Sequence, residues 1–235
     1  MKKKITGVIL LYCLAIVGHS QNLTMGLKIG SNTSKLVNFQ IKSLDPIIDY
    51  LPTNNFNYGI FFNYNFKNKF SIQPEINYIL KGIEYNMNPD IVGGGASGKA
   101  KMEYLEIPIL VKYNYGDKFK GFINMGTSIN LIIDGGNYNY HRFNDAIPES
   151  YEYYRNIKSD FNKFTIGIVG GVGLSYCILK SIELSVEFRY NYLLSNSANN
   201  NEYIDPNTGD VWNYDQSHFI DKSLNFGIAY KFGHK

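Results

Sequence analysis

The chain has 235 residues, enough for one or two domains, and a formal net charge of +3. It carries 20 Tyr, 15 Phe and 22 Gly but only 18% charged residues, a composition that favours strands and turns and is unusual for a soluble enzyme. Nothing in this charge balance indicates a nucleic-acid partner.

The N-terminal segment has the three parts of a secretory signal. Lys2–Lys4 supply the charged region, residues 5–17 form an apolar run, and small residues precede Gln21. We therefore expect a signal peptide over residues 1–20 and a single domain over residues 21–235. A lipoprotein signal at Cys13 is disfavoured, because this cysteine lies in the middle of the apolar run.

Removal of this segment changes the charge and the cysteine count. The 23 basic residues lose three lysines, which leaves 20 basic against 20 acidic, and Cys177 becomes the only cysteine. An intrachain disulfide is then excluded. Because no other apolar run approaches the roughly 20 residues of a helical span, a mature protein in a membrane must cross it with strands.

Eight later segments alternate between apolar and polar residues with a period of two, which predicts eight strands. The clearest is "SIELSVEFRYNYLLS", where Leu184 and Val186 share one face and Glu183 and Ser185 the other. In chain order the segments are 23–34, 55–66, 70–80, 102–114, 119–132, 163–176, 181–195 and 223–232.

Short and long connections alternate between these segments. Short turns are expected at 67–69, 115–118 and 177–180, and long polar connections at 35–54, 82–101, 134–160 and 196–221. An even number of strands of about ten residues, with short turns at one end and long loops at the other, is typical of outer-membrane barrels. The sequence therefore predicts an all-β fold: an eight-stranded antiparallel up-and-down transmembrane β-barrel with short periplasmic turns and four long extracellular loops.

The apolar face of these strands is expected to point outward. An eight-stranded barrel has an interior just wide enough for side chains, and roughly forty large apolar side chains would overfill it. Aromatic residues flank the short turns, among them Tyr64, Phe70, Tyr113 and Phe119, as an interfacial girdle requires. A secreted ligand-binding barrel of lipocalin type or a two-sheet sandwich would explain the alternation but not the girdle or the unequal connections.

Two prolines lie inside predicted strands. Pro74 and Pro108 cannot donate to a β-ladder, and a closed barrel has no free edge to receive them. We expect β-bulges at both positions.

Four segments resemble the small outer-membrane β-barrel family widespread in the Bacteroidetes, often labelled porin family or PorT-like. They are "GLKIGSNTS", "FSIQPEINYILKG", "YLEIPILVKYNY" and "FGIAYKF". The resemblance covers nearly all of the mature chain and implies a location in the outer membrane and insertion by the barrel-assembly machinery. That machinery reads a last strand with a terminal aromatic residue, and the corresponding residues here are Phe226, Ile228, Tyr230 and Phe232. The family includes a component of type IX secretion, but no motif assigns this chain to that role.

Charged residues of both signs alternate onto the face expected to line the lumen. They are Lys28, Glu75, Glu106, Lys112, Lys120, Glu183, Glu187, Arg189 and Lys231. Because a buried ion needs an oppositely charged partner, the sequence predicts a salt-bridged plug. Two alternatives remain for this lumen. It could be a narrow polar conduit, that is, a porin-like channel for small solutes, or it could be a proton-sensitive gate.

No motif indicates catalysis, a cofactor or a metal. Ser217 and His218 are adjacent and Asp221 is near, but neighbours in sequence do not make a nucleophile and base, so a lipid-modifying enzyme is disfavoured. Residues 93–99 lack the spacing of a phosphate loop, and residues 204–212 lack the terminal Glu of a calcium loop. They are interpreted as a loop tip and a hairpin turn.

The third long connection is the candidate contact surface, because exposed Tyr and Arg are good contact residues. Its residues of these types are Tyr138, Tyr140, Arg142, Tyr151, Tyr153, Tyr154 and Arg155. The same segment could instead lie solvated against lipopolysaccharide headgroups. The sequence thus predicts a non-enzymatic outer-membrane barrel with a structural or interaction role. Its expected partners are outer-membrane lipid, the assembly machinery and an unidentified protein.

Overall fold

The computed structural model describes residues 22–37, 48–67, 69–87, 94–143, 150–197, 199, 203–204, 211–212 and 217–233. The strands in this part of the chain are β1 (Leu23–Val37), β2 (Ile48–Lys67), β3 (Phe70–Met87), β4 (Gly94–Tyr115), β5 (Phe119–Phe143), β6 (Ser150–Asn156), β7 (Phe164–Leu179), β8 (Ile182–Leu193), β9 (Tyr203–Ile204), β10 (Val211–Trp212) and β11 (His218–Lys231). A 3-10 helix, Lys158–Asp160, precedes β7. Within the described ranges, no helix combines the length and apolar character needed to cross a membrane.

Eight strands close into an antiparallel barrel, which confirms the predicted fold class. The barrel strands are β1, β2, β3, β4, β5, β7, β8 and β11. Each of the first seven pairs with the next barrel strand along the chain, and β11 pairs with β1 to close the ring. Each connection therefore joins spatial neighbours, as in an up-and-down topology. β6 lies outside this ring and forms a hairpin with the end of β5.

The short turns all lie at one end of the barrel, as predicted. β2 and β3 are separated by two residues, and so are β7 and β8. Between β4 and β5, Gly116 has a φ of 105°, a conformation that side chains with a Cβ rarely adopt. A Cβ added there would lie 2.2 Å from the carbonyl oxygen of Phe119, so the tight turn requires glycine.

At the other end most of the predicted loop boundaries were wrong, because β1, β2, β3, β4, β5 and β11 continue beyond them, whereas β7 and β8 do not. β3 extends to Met87 and β4 begins at Gly94, inside the predicted connection 82–101. β5 extends to Phe143 and pairs with β6, so the proposed contact residues between 138 and 155 lie on strands rather than in a loop. In these extensions polar and apolar residues still alternate, but the apolar side chains point into the lumen and the polar ones point outward. For this reason the extensions resemble polar loops in the sequence.

The expectation of bulges at Pro74 and Pro108 was also wrong. The register of β2 with β3 is the same on both sides of Pro74, and that of β3 with β4 is the same on both sides of Pro108. Each proline removes one donor from the ladder without requiring an extra residue, and the flanking pairs keep the register. The register shifts lie elsewhere, between Pro52 and Asn57, Asn65 and Lys67, Glu103 and Tyr104, and Cys177 and Leu179.

A band of apolar side chains surrounds the end of the barrel that carries the short turns, and it points outward as predicted. Leu27 on β1, Ile109 on β4 and Ile228 on β11 are exposed, whereas Lys28, the neighbour of Leu27, is buried. Aromatic residues border this band near the turns, where the ring centroids of Phe70 and Tyr113 lie 5.1 Å apart. We call this part of the barrel the lipid-facing band, and the strand extensions beyond it the extracellular section.

Candidate functional site in the barrel lumen

The centre of the lumen holds a cluster of ionised side chains around Arg189. Arg189 Nη1 donates to Glu75 Oε2 at 2.6 Å and Nη2 donates to Glu75 Oε1 at 2.8 Å, a bidentate pair. Arg189 Nη2 also lies 2.9 Å from Glu187 Oε1. Lys28 forms a second ion pair with Glu75, and Gln73 Nε2 donates to Glu75 Oε1 at 2.7 Å. The four charged residues bridge β1, β3 and β8, so this central ion cluster ties together strands from different sides of the barrel.

A second ionic group lies toward the extracellular section and includes two residues that the sequence reasoning missed. Lys81 Nζ lies 2.6 Å from Asp221 Oδ2 and 3.9 Å from Glu106 Oε2, while Asn191 Nδ2 donates to Glu106 Oε2 at 2.6 Å. Lys81 and Asp221 both lie on the inward alternation of their strands, one or two positions beyond the predicted strand ends. Extending the alternation past those ends would have found them.

An apolar cluster occupies the lumen in the extracellular section, and no residue pattern in the predicted strands indicated it. The ring of Phe219 packs against those of Tyr104 and Phe161, each with a centroid separation of 6.4 Å. Lys81 Nζ lies 5.1 Å from the centroid of Tyr104, which joins this cluster to the second ionic group. Its members are Leu36, Ile79, Ile83, Ala100, Met102, Tyr104, Ile132, Ile157, Phe161, Leu193 and Phe219.

At the end with the short turns, the lumen opens into a cavity of about 540 Å³. Glu183 Oε2 there is shared by two lysines, Lys231 Nζ at 2.7 Å and Lys120 Nζ at 3.1 Å. Lys231 Nζ also lies 2.8 Å from Cys177 Sγ. Lys112 is the exception among the nine predicted lumen ions, since its Nζ lies 3.7 Å from the centroid of the Phe122 ring and has no carboxylate partner in the described part of the chain.

The C-terminal strand presents its aromatic and aliphatic residues outward. Phe226, Ile228 and Tyr230 on β11 are exposed, and Phe232 follows the strand with its ring centroid 5.2 Å from that of Tyr230. Recognition of these four residues by the assembly machinery stays a prediction.

The proposed contact surface is described only in part. The rings of Tyr138 and Tyr154 are exposed and contact each other across β5 and β6 in a tilted arrangement, with centroids 5.1 Å apart and planes inclined by 55°. Arg155 pairs with Asp160 at 2.9 Å on the exterior. The side chains of Tyr140, Arg142, Tyr151 and Tyr153 lie outside the described residues, as do residues 1–20 and 205–210.

The residues of the weighed catalytic alternative are engaged separately. Ser217 Oγ lies 3.4 Å from Asn196 Oδ1, His218 stacks on Tyr192 with centroids 5.7 Å apart, and Asp221 pairs with Lys81. A serine nucleophile needs a histidine base that a carboxylate orients, and these contacts do not form that arrangement. In the described ranges no group of three or more His, Cys, Asp or Glu side chains is placed to hold a metal ion.

Comparisons with known proteins agree with the barrel. The model of the family described as outer membrane protein beta-barrel domain matches residues 19–199. The crystal structure of the outer membrane protein OprG from Pseudomonas aeruginosa is similar with a TM-score of 0.54 and 12% identity, over 92% of this chain and 99% of that chain. At this identity the likeness shows the fold alone.

Two further solved structures are similar at lower scores. Neisserial surface protein A has a TM-score of 0.46 and 15% identity, over 91% of this chain and 98% of that chain. The outer membrane protease OmpT from Escherichia coli has a TM-score of 0.40 and 11% identity, over 91% of this chain and 98% of that chain. Neither score supports an argument about activity. A search of curated proteins finds no match.

Proposed function

We propose a function from one premise: the chain belongs to the outer membrane protein beta-barrel domain family and is an outer-membrane barrel. Its proposed role is that of a non-conducting, non-enzymatic anchor. The plugged barrel holds a rigid extracellular β-structure, which contacts a protein partner or lipopolysaccharide. The finer placement we propose is the small porin-family or PorT-like barrels, with residues 1–20 removed on export.

The observation that supports a plugged lumen is its filling along the axis. The central ion cluster and the second ionic group engage Arg189, Lys28 and Lys81 with buried carboxylates. Beyond them the apolar cluster of eleven buried residues occupies the extracellular section. Water and small ions need polar partners along a path, and dry packed side chains offer none.

The observation that supports an interaction role is the length of the strands beyond the lipid-facing band. Glu84, Lys99 and Lys101 project outward from the extended β3 and β4 hairpin, where lipid-facing residues would be apolar. The exposed ring pair of Tyr138 and Tyr154 adds aromatic surface of the kind that anchors protein contacts. A structure built on an internal apolar core is pre-organised, so binding loses little entropy in ordering it.

Conductance of the purified chain in planar lipid bilayers tests this function. The wild type is expected to give no steady single-channel conductance. A double variant, Phe219→Ala with Met102→Ala, removes two large, fully buried side chains of the apolar cluster and provides the matched control, in which openings become more frequent. Steady wild-type conductance equal to that of this variant would contradict the plug.

A narrow channel is the second candidate, and the open polar cavity at the end with the short turns favours it. In that case solutes would enter the lumen as far as the central ion cluster, and movement of Arg189 would open the path. This candidate would be supported if the wild type conducts and if conductance is lost when Arg189 is held more firmly in the central ion cluster.

A further inference from the structure

The cavity at the periplasmic mouth has an excess of positive charge. Its lining includes four lysines, Lys69, Lys112, Lys120 and Lys231, and two carboxylates, Asp117 and Glu183. Glu183 is shared by Lys120 and Lys231, so one carboxylate offsets two ammonium groups. The volume of about 540 Å³ falls within the roughly 300–1,000 Å³ of small-molecule sites.

Lys112 is a buried ammonium group that forms no ion pair with a carboxylate of the described residues. The residue is 5% exposed, lines the cavity and lies over the ring of Phe122, and no hydrogen bond to a described residue satisfies its three donors. Burying an ammonium group is costly unless a partner offsets the lost hydration. Elsewhere in the described lumen the buried cations Lys28, Lys81 and Arg189 each have a carboxylate, so Lys112 differs in facing an open cavity instead.

We propose that this cavity binds a small anion through a phosphate or carboxylate group, with Lys112 as its central ligand. Oxygen acceptors of such a group can each receive several hydrogen bonds. Besides Lys112, the side chains of Thr24, Asn114 and Ser185 line the same cavity and supply neutral donors. The site goes beyond the proposed anchor function and does not depend on whether the lumen conducts.

The charge arrangement makes two opposite predictions for binding. Lys112→Met keeps an apolar side chain of similar length but removes the ammonium group, and it is expected to weaken anion binding about tenfold, the effect of losing one charge-assisted hydrogen bond. Glu183→Gln removes the carboxylate that competes for Lys120 and Lys231, and it is expected to tighten binding about threefold, a modest charge effect. Damage to the fold would not produce a gain.

Nuclear magnetic resonance titration of the folded full-length mature chain in a phosphate-free detergent tests the site. The probes are inorganic phosphate and acetate, with glycerol as the neutral comparison. Amide shifts at Gly116 and Ser185, which line the cavity, are expected to saturate with either anion and not with glycerol. Absence of saturable shifts with both anions overturns the proposal.

A matched control separates the site from general attraction of anions by lysines. Lys101→Gln removes an exposed lysine in the extracellular section and is expected to leave binding unchanged. Retention of wild-type affinity in a Lys112→Met protein that still shows heat-modifiable gel migration overturns the proposal, as does an equal loss in Lys101→Gln. Repeating the titration in bilayers that contain phosphatidylglycerol identifies the source of the anion: competition with phosphate assigns a lipid headgroup, and unchanged binding assigns a free solute, both within the same chemistry.

Discussion

The lipid-facing band and the extracellular section are built from the same strands with opposite radial polarity. On β4, Val111 and Ile109 point outward in the band and Lys112 points inward, whereas Lys101 points outward in the extracellular section and Met102 points inward. β3 shows the same reversal between Glu75, which is buried in the band, and Ile83, which is buried beyond it. The period of two thus defines a strand, while the solvent outside decides which face is apolar.

The two regions are also held together by different forces. Water surrounds the extracellular section, so burial of apolar side chains in its lumen is favoured by the hydrophobic effect. In the band, lipid outside is as apolar as any core, and unpaired backbone groups there cost several kcal/mol, so the closed ladder and the paired lumen ions stabilise it. One strand can therefore pass from lipid into water if its apolar side chains change from the outer face to the inner face at the boundary.

The largest expected effect comes from breaking the central ion cluster in the band. Arg189→Met leaves Glu75 and Glu187 buried with Lys28 as the single remaining cation of the cluster, and removal of one partner of a buried pair costs about 3–5 kcal/mol. Urea titration of the barrel folded into lipid vesicles, followed by heat-modifiable gel migration, measures this change. Lys101→Met removes an exposed cation and is expected to change the free energy of unfolding by less than about 0.5 kcal/mol. Equal effects would show that the cluster is not buried.

A somewhat smaller effect is expected from a charge on the outer face of the band. Leu27 is 57% exposed in the protein alone, and its cross-strand neighbours are Ile60 and Ile228. Leu27→Arg places a cation near the middle of the apolar band, which costs about 2–4 kcal/mol in a transmembrane barrel. Thr33→Arg on the same face of β1, next to the exposed Lys35, is the matched control and is expected to cost less than about 1 kcal/mol. If both changes cost the same, the boundary between the two regions lies elsewhere.

The fold class and the outward band could be predicted because alternation and barrel volume constrain them strongly. The strand extensions in the extracellular section could not be predicted in the same way. Each strand was assigned a single apolar face and was taken to end where that face stopped being apolar. Ile79 and Ile83 on the inward face of β3 carried the signal for the apolar cluster, but they flank the charged Lys81 and the predicted strand ended between them. That Lys112 has no carboxylate partner among the residues that the structure describes depends on distances between strands, which no linear pattern encodes.

The apolar cluster provides the next test, with two methionines as a matched pair. Met102 is 0% exposed in the extracellular section, whereas Met125 is 67% exposed on the lipid-facing band. Met102→Ala is expected to cost about 2–3 kcal/mol, because it leaves a cavity that rigid neighbours cannot fill. Met125→Ala is expected to cost only the free energy of transferring the side chain from water to lipid, about 1 kcal/mol, because lipid tails fill the space. Urea titration of both variants checks the difference, and a larger cost for Met125→Ala would reverse the assignment of the two regions.

The smallest effect is expected from an ion pair on the outer face of the extracellular section. Lys99 Nζ lies 3.4 Å from Glu84 Oε2, and both side chains are 42% exposed. Because water screens such a pair and holding two long side chains costs entropy, Glu84→Gln is expected to lower the free energy of unfolding by less than about 1 kcal/mol, with a further decrease of the effect at high salt. The same change at Glu75 removes a carboxylate that pairs with both Lys28 and Arg189, and it is expected to cost about 3–5 kcal/mol with little salt dependence. Urea titrations at low and high salt compare the two variants. A salt-independent loss at Glu84 as large as that at Glu75 would mean that this surface is covered rather than solvated, and the contrast between the two regions would fail there.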